Sequence, residues 1–210
     1  MSPKLVAVAL TGASGMSYGI RLIECLIRAG VRVQVLYSQV AQIVARQETD
    51  LVLPSRASDV ERELAARFGA ASGQLAVYGR EEWFAPLASG SNPPDAMVIC
   101  PCTMGTLAAV AAGLAQNLIE RAADVAMKEG RKLILVPRET PFSAIHLENM
   151  LRLARAGAVI LPANPGFYHR PESVEALVDF VVARILDHLA VPNDLMRRWG
   201  DSGRPPLLEA

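Results

Sequence analysis

Six short apolar runs punctuate the chain: KLVAVAL (4–10), VRVQVLY (31–37), QLAVYG (74–79), AMVICP (96–101), KLILVP (132–137) and AVILP (158–162). Between them lie stretches whose apolar residues recur at helical spacing and stop at glycine, such as MSYGIRLIECLIRAG (16–30) and SAIHLENMLRLARAG (143–157). A strand apolar on nearly every residue is buried on both faces, and sequential parallel strands need a crossover, usually a helix, to connect them. The alternation therefore predicts an α/β fold: three layers, with a doubly wound, mostly parallel sheet between two layers of helices.

Further helices are predicted at about 40–46, 58–69, 105–115, 120–129 and 172–189. Ser58 or Asp59 is the expected N-cap of the 58–69 helix, and Gly69 its stop. The glycine- and proline-containing segment 85–94 reads as a loop. No internal repeat or second apolar core is visible, so residues 1–190 read as one domain, followed by a tail at 191–210.

Composition narrows the function classes. Lys plus Arg equals Asp plus Glu at 21 each, which speaks against a general attraction to nucleic acid or membrane surfaces. No uninterrupted apolar run reaches the roughly 18 residues of a membrane span. The first apolar run is short and ends in a glycine-rich turn rather than a cleavage site, so a cytoplasmic protein is expected. Only 20% of residues are charged, which points to some surface buried between subunits. Three cysteines make no disulfide framework, and the spacing of Cys100 and Cys102, with no paired Cys/His set elsewhere, argues against a metal site.

In such sheets ligands sit at the carboxyl ends of the strands, which directs attention to the loops there. The first is TGASG (11–15). A glycine-rich turn opening a helix presents bare N–H groups and the positive end of a helix dipole. Its glycines fall at 12, 15 and 19, not in the G-x-G-x-x-G spacing of dinucleotide enzymes, and the second strand ends in YSQV without the acidic residue that holds an adenosine ribose. A dinucleotide is therefore disfavoured. A mononucleotide phosphate, a flavin, or a purely structural tight turn all remain open.

The fourth loop, PCTMGT (101–106), adds hydroxyls and a bare backbone at another helix start. VPRET (136–140) places Arg138 and Glu139 at a strand end, a cation able to hold phosphate and a carboxylate able to move protons. NPGFYHRP (164–171) brings Tyr168, His169 and Arg170. Charge is scarce in this chain, yet it gathers at these loops. Arg121, Lys128 and Arg184 fall on helices, where each alone reads as a surface charge, and Trp83 alone reads as core or interface.

Taken together, LTGASGMSYGIRL (10–22), the stretch from Ala88 to Leu151 that contains PCTMGT and VPRET, and the stretch from Gly157 to Leu189 that contains PGFYH resemble the flavin prenyltransferases, the UbiX-like family of flavodoxin-like flavoproteins. The resemblance runs to about residue 190. It implies a metal-independent enzyme that transfers a dimethylallyl group from dimethylallyl phosphate to N5 of reduced FMN and closes a ring at C6. The product, prenylated FMN, would serve a UbiD-type decarboxylase, and the family name connects the chemistry to ubiquinone biosynthesis. It also implies a closed, dodecameric homo-oligomer with sites at subunit interfaces.

Residue by residue, the resemblance implies that Gly12, Ala13, Ser14, Ser38, Thr103, Met104, Gly105, Thr106 and Arg138 hold FMN. Ser14 would lie near N5 and Glu139 would act as acid or base near the prenyl phosphate. Tyr168 and Arg184, aided by Lys128, Arg121 and Glu48, would grip that phosphate, with Trp83 as an aromatic wall. Many members carry Ser and Lys where this chain has Thr103 and Gly105, which removes a cation near the site. Two other readings are a flavin-dependent cysteine decarboxylase of the same fold and a non-catalytic flavin-binding subunit. The first calls for an early active-site histidine, whereas the first histidine here is His146. The second would have no use for a second phosphate grip.

Overall fold

The computed structural model describes residues 3–196 and residue 198. Its elements run β1 (Leu5–Leu10), α1 (Met16–Arg28), β2 (Arg32–Tyr37), α2 (Gln39–Glu48), α3 (Ala57–Phe68), β3 (Leu75–Tyr78), β4 (Ala96–Cys102), α4 (Met104–Ala111), α5 (Leu118–Lys128), β5 (Lys132–Pro137), α6 (Ala144–Arg155), β6 (Val159–Ile160) and α7 (Val174–His188). All six strands form one parallel sheet in the order β3-β2-β1-β4-β5-β6. The winding reverses between β1 and β4, and such a reversal opens a crevice at the carboxyl ends of the strands.

The pleat divides the core. Val6, Val8 and Leu10 of β1 face a cluster built with α1, α2, α3 and α7. Ala7 and Ala9 face the other layer, with Met97 and Ile99 of β4 and the apolar residues of α4, α5 and α6. Alternate residues of a strand point to opposite faces, so apolar residues at both parities require helices on both sides. β4 is buried at every residue, as befits a central strand.

Helix α7 returns to the first layer and is fixed to α1 by a two-pronged ion pair, Arg21 Nε to Asp179 Oδ1 at 2.7 Å and Arg21 Nη2 to Asp179 Oδ2 at 3.2 Å. Glu24 supports the same guanidinium at 2.8 Å.

Several expected boundaries move. Helix α3 starts earlier than its sequence signal, with Arg56 in the cap position; Asp59 lies in the first turn and pairs with Arg62 instead. Helix α4 ends at Ala111, because the N–H groups of Gly113 and Leu114 fold back onto the carbonyls of Val110 and Ala109. The next helix begins at Leu118, where the Asn117 side chain accepts the N–H of Glu120. Within the segment expected to be loop, Pro86–Ala88 forms one 3-10 turn. Of the expected tail, residues 191–196 and Arg198 are described, with Arg198 bonded to Asp187 on α7 at 3.0 Å; the rest lies outside the described residues. Among the described residues no helix is long and apolar enough to cross a membrane.

Candidate active site

The loop after β1 is tied to the loop after β4 by one buried hydroxyl. Thr11 Oγ1 donates to the Pro101 carbonyl at 2.7 Å and accepts the Thr103 N–H at 2.8 Å. Thr103 then caps α4, its hydroxyl accepting the Thr106 N–H at 3.1 Å and donating to Thr106 Oγ1 at 2.9 Å. Thr11 thus joins the two loops that flank the crevice. Nothing in its sequence context distinguished it from an ordinary turn residue, and only the 90-residue leap to Pro101 exposes its role.

The loop after β2 closes the same edge. The Ser38 N–H donates to the Leu10 carbonyl at 3.0 Å, and the Ser38 side chain caps α2 by accepting the Ala41 N–H. The loop after β5 reaches across from the other side, with Arg138 Nε donating to the Ser14 carbonyl at 3.3 Å. Glu139, half-buried beside it, accepts the Thr140 N–H. Ser14 and Arg138 are exposed, Ala13 is buried, and Gly12 packs against Val40. Residues from four separated stretches therefore converge on one edge of the sheet.

The start of α1 holds a surprise. Gly15 occupies the cap position in the left-handed region, at φ 106°, and contributes no capping side chain. The carboxylate of Glu48 supplies the cap from the far end of α2, with Oε2 accepting the N–H groups of Gly15 at 2.8 Å and Met16 at 2.9 Å. Partial burial pushes this carboxyl upward, but the Ser14 hydroxyl, the two N–H groups and the Arg138 charge outweigh it and hold the carboxyl below its ordinary range. The anion site at this helix terminus is filled by the protein's own carboxylate. Glu48, expected to help grip the donor phosphate, is spent on α1.

By contrast, the start of α4 is capped only by the hydroxyl of its own Thr103 and leaves Gly105 uncovered. A Cβ built on Gly105 meets nothing within 4 Å, and the residue is exposed. Small residues, an exposed glycine in the first turn of α4 and the Arg138 guanidinium thus meet at one edge of the sheet. These features suit a flat, anionic nucleotide such as a flavin mononucleotide.

The remaining expected site residues lie elsewhere. Arg121 on α5 donates through Nε to the Ala88 carbonyl at 3.0 Å and pairs with Asp124 at 2.9 Å. Lys128 ends α5 beside Gly90 and pairs with Glu129, at the end of the helix that leads into β5 and so at the opposite edge of the sheet. Trp83 stands in the loop after β3, 43% exposed, next to a fully exposed Phe84. Tyr168 packs against His169 and Phe180, and Arg184 lies one helical turn beyond Phe180, paired with Asp187 at 2.9 Å. Among the described residues no hydrogen bond or ion pair joins Arg121, Lys128 or Arg184 to the loop cluster. One chain presents the expected site as separate groups.

Burial pushes the thiols of Cys100 and Cys102 far up, and both are fully buried, so neither serves as a nucleophile. Among the described residues no group of three or more His, Cys, Asp or Glu side chains is arranged to hold a metal ion.

Sheet order and loop cluster define a doubly wound nucleotide-binding protein, and comparison with known proteins narrows the class. A family model described as Flavoprotein matches residues 1–186. The flavin prenyltransferase UbiX of Pseudomonas aeruginosa is 58% identical over 199 residues, covering 95% of each chain. Two crystal structures are similar throughout. AnUbiX (PadA1) in complex with FMN and dimethylallyl pyrophosphate has a TM-score of 0.84 at 39% identity, covering 94% of this chain and 97% of its own. A dodecameric FMN-dependent UbiX-like decarboxylase from Escherichia coli O157:H7 has a TM-score of 0.83 at 40% identity, covering 93% and 98%. The chain belongs to the Flavoprotein family and, within it, to the UbiX flavin prenyltransferases.

Proposed function

We propose that this chain transfers a dimethylallyl group from dimethylallyl phosphate to N5 of reduced FMN, closes a ring at C6, and passes the prenylated FMN to a UbiD-type decarboxylase. The observation that carries this reading is the division of anion-binding capacity. Glu48 fills the terminus of α1, so the glycine loop is a floor for a ring system rather than a phosphate cradle. Arg138 stands at the loop cluster while Arg121, Lys128 and Arg184 stand away from it, which supports a second anionic reactant beside the flavin phosphate.

Gly12, Ala13 and Ser14, with Ser38 and Thr103 to Thr106, hold FMN against the carboxyl ends of β1, β2 and β4, and Arg138 closes over it. Bound in its reduced form, FMN supplies the electron-rich ring whose N5 and C6 accept the prenyl unit. As the donor C–O bond breaks, its electron pair leaves with the phosphate. Arg184, Lys128, Arg121 and the Tyr168 hydroxyl stabilise that charge. The Trp83 face lies against the allylic carbon that becomes electron-poor. Glu139 would pass to the departing phosphate the proton that N5 loses on alkylation, and closure at C6 would release the C6 proton as the prenyl double bond takes one up. Ser14, hydrogen-bonded to Glu48, would orient the ring edge at N5. Holding both reactants in contact removes much of the entropic barrier. The reading needs no metal.

The separated groups imply that neighbouring copies complete each site in a dodecameric homo-oligomer. Exposed apolar residues on α2, α6 and the 79–85 loop, among them Ile43, Leu151 and Phe84, support such contacts. Residues 1–190 form the single flavin-binding domain, working in the cytoplasm. The cysteine decarboxylase reading finds no support in His146, whose Nδ1 accepts the Ser143 N–H to complete the cap of α6.

Incubating the protein anaerobically with FMN, a reductant and dimethylallyl phosphate tests the function by mass spectrometry. A flavin heavier by one prenyl unit is expected; unaltered FMN would overturn the reading.

A further inference from the structure

We propose that His169 is an aromatic positioning residue, which holds Tyr168 in place by stacking on Phe180 and not by hydrogen bonding. The inference rests on the reading that Tyr168 contacts the prenyl donor.

Three rings form the cluster. His169 lies nearly parallel to Phe180, with centroids 5.4 Å apart and an interplanar angle of 13°. Tyr168 stands edge-on to both, 5.8 Å from His169 at 76° and 5.8 Å from Phe180 at 74°. Both arrangements, offset stacking and edge-to-face, are the favourable ones for aromatic quadrupoles. Gly166 lets the backbone pass close over the cluster: a Cβ there would lie 2.9 Å from Tyr168 Cε1 and 3.0 Å from Phe180 Cζ. The Arg170 N–H closes the turn onto the Phe167 carbonyl at 3.0 Å.

The decisive detail is the imidazole itself. Both of its ring nitrogens are buried, and neither has a hydrogen-bond partner among the described residues. A buried polar atom left unpaired is costly, so a histidine placed here for its hydrogen bonds would have them. What the side chain contributes is a flat ring.

Phe180 gives the stack a consequence. It lies next to Asp179, the residue bonded to Arg21 on α1, and one helical turn before Arg184. The ring that locates Tyr168 therefore stands on the same helix face as Arg184, and that helix is anchored to α1. A phenol already fixed relative to the guanidinium loses less freedom when an anion binds between them.

The test uses the full-length, FMN-loaded enzyme with dimethylallyl phosphate varied, comparing His169→Phe, His169→Ala and Phe180→Leu. His169→Ala is expected to raise the donor KM about tenfold, leaving kcat and FMN affinity within about twofold. His169→Phe is expected to keep the wild-type KM and to melt at a higher temperature, because the ring is retained and the unpaired nitrogens are gone. Phe180→Leu, which removes the stack from the other side, should reproduce the KM rise and carries the test should His169→Ala fail to fold. The proposal is overturned if His169→Phe is as impaired as His169→Ala, which would make the nitrogens the active part. It is also overturned if His169→Ala leaves the KM unchanged or weakens FMN binding in step with it. Failure of the underlying reading has a different signature, a wild-type enzyme that turns over no donor. In that case crystal structures of the two His169 variants decide: Tyr168 displaced in the alanine variant but not in the phenylalanine variant supports positioning, and Tyr168 unmoved in both overturns it.

Discussion

Glu48 and Gly15 are 33 residues apart in sequence and 2.8 Å apart in space, where the carboxylate accepts the glycine N–H at the start of α1. The glycine-rich turn has the local chemistry of an anion site, and the anion is a side chain. That contact occupies an N–H group that would otherwise be available to a phosphate, and ties the far end of α2 to the loop carrying Ser14.

The bond makes stability depend on pH in a definite sense. The folded-state pKa of Glu48 lies below its ordinary 4.5, so its stabilising contribution is fully present above that value and is lost as pH falls through the folded-state pKa. Glu48→Gln is expected to be less stable than wild type near neutrality, with the gap closing below pH 4.5 in denaturant titrations. A gap that stays constant across this range would mean that the charge contributes nothing.

Gly19, on the buried face of α1, is a second point where chain meets chain. A Cβ there would press on the Cys100 carbonyl and lie 2.5 Å from Leu10 Cδ2. Helix propensity alone favours Gly19→Ala by about 1 kcal/mol. Overpacking against a backbone carbonyl costs about 1–3 kcal/mol and wins. The variant should therefore unfold at lower denaturant concentration than wild type, with an unchanged slope.

Glu139 separates chemistry from binding. If it moves the proton of the departing phosphate, Glu139→Gln keeps shape and hydrogen bonding but slows turnover about 10²–10⁴-fold. FMN affinity, followed by fluorescence titration, should stay within about twofold. Equal losses in both would demote Glu139 to a structural role.

Lys128 tests whether sites are shared between copies. Ser14→Ala and Lys128→Ala should each be nearly inactive alone. If each site takes Ser14 from one chain and Lys128 from another, random co-assembly of the two variants restores about a quarter of the sites. Mixed oligomers without recovery would place both residues of a site in one chain.

Much of the architecture was legible in the linear sequence. The strand KLILVP coincides with β5, and the six strands with their helical crossovers lie where apolar runs and helical spacing put them. Helix ends were less legible, because caps depend on which local carbonyl a chain folds back to: Gly113 and Leu114 end α4 early, and Arg56 takes a cap position that its residue type does not announce. Single-residue roles were less legible still. Thr11 carried no signal of its link to Pro101 and Thr103, and Glu48, expected near the donor phosphate, instead caps α1.

The sequence by itself determined the layering and the carboxyl-edge loops, since both follow from periodicity and local chain chemistry. It also carried the family, through motifs spread over most of the chain. Only the tertiary structure decided which loops touch. Thr11 meets Pro101 and Thr103, Arg138 meets Ser14, and Glu48 meets Gly15, each across a separation that no local pattern encodes. These contacts arise because parallel strands bring distant loops to one edge of the sheet, where the hydrogen-bonding groups left over by each loop must find partners in the others.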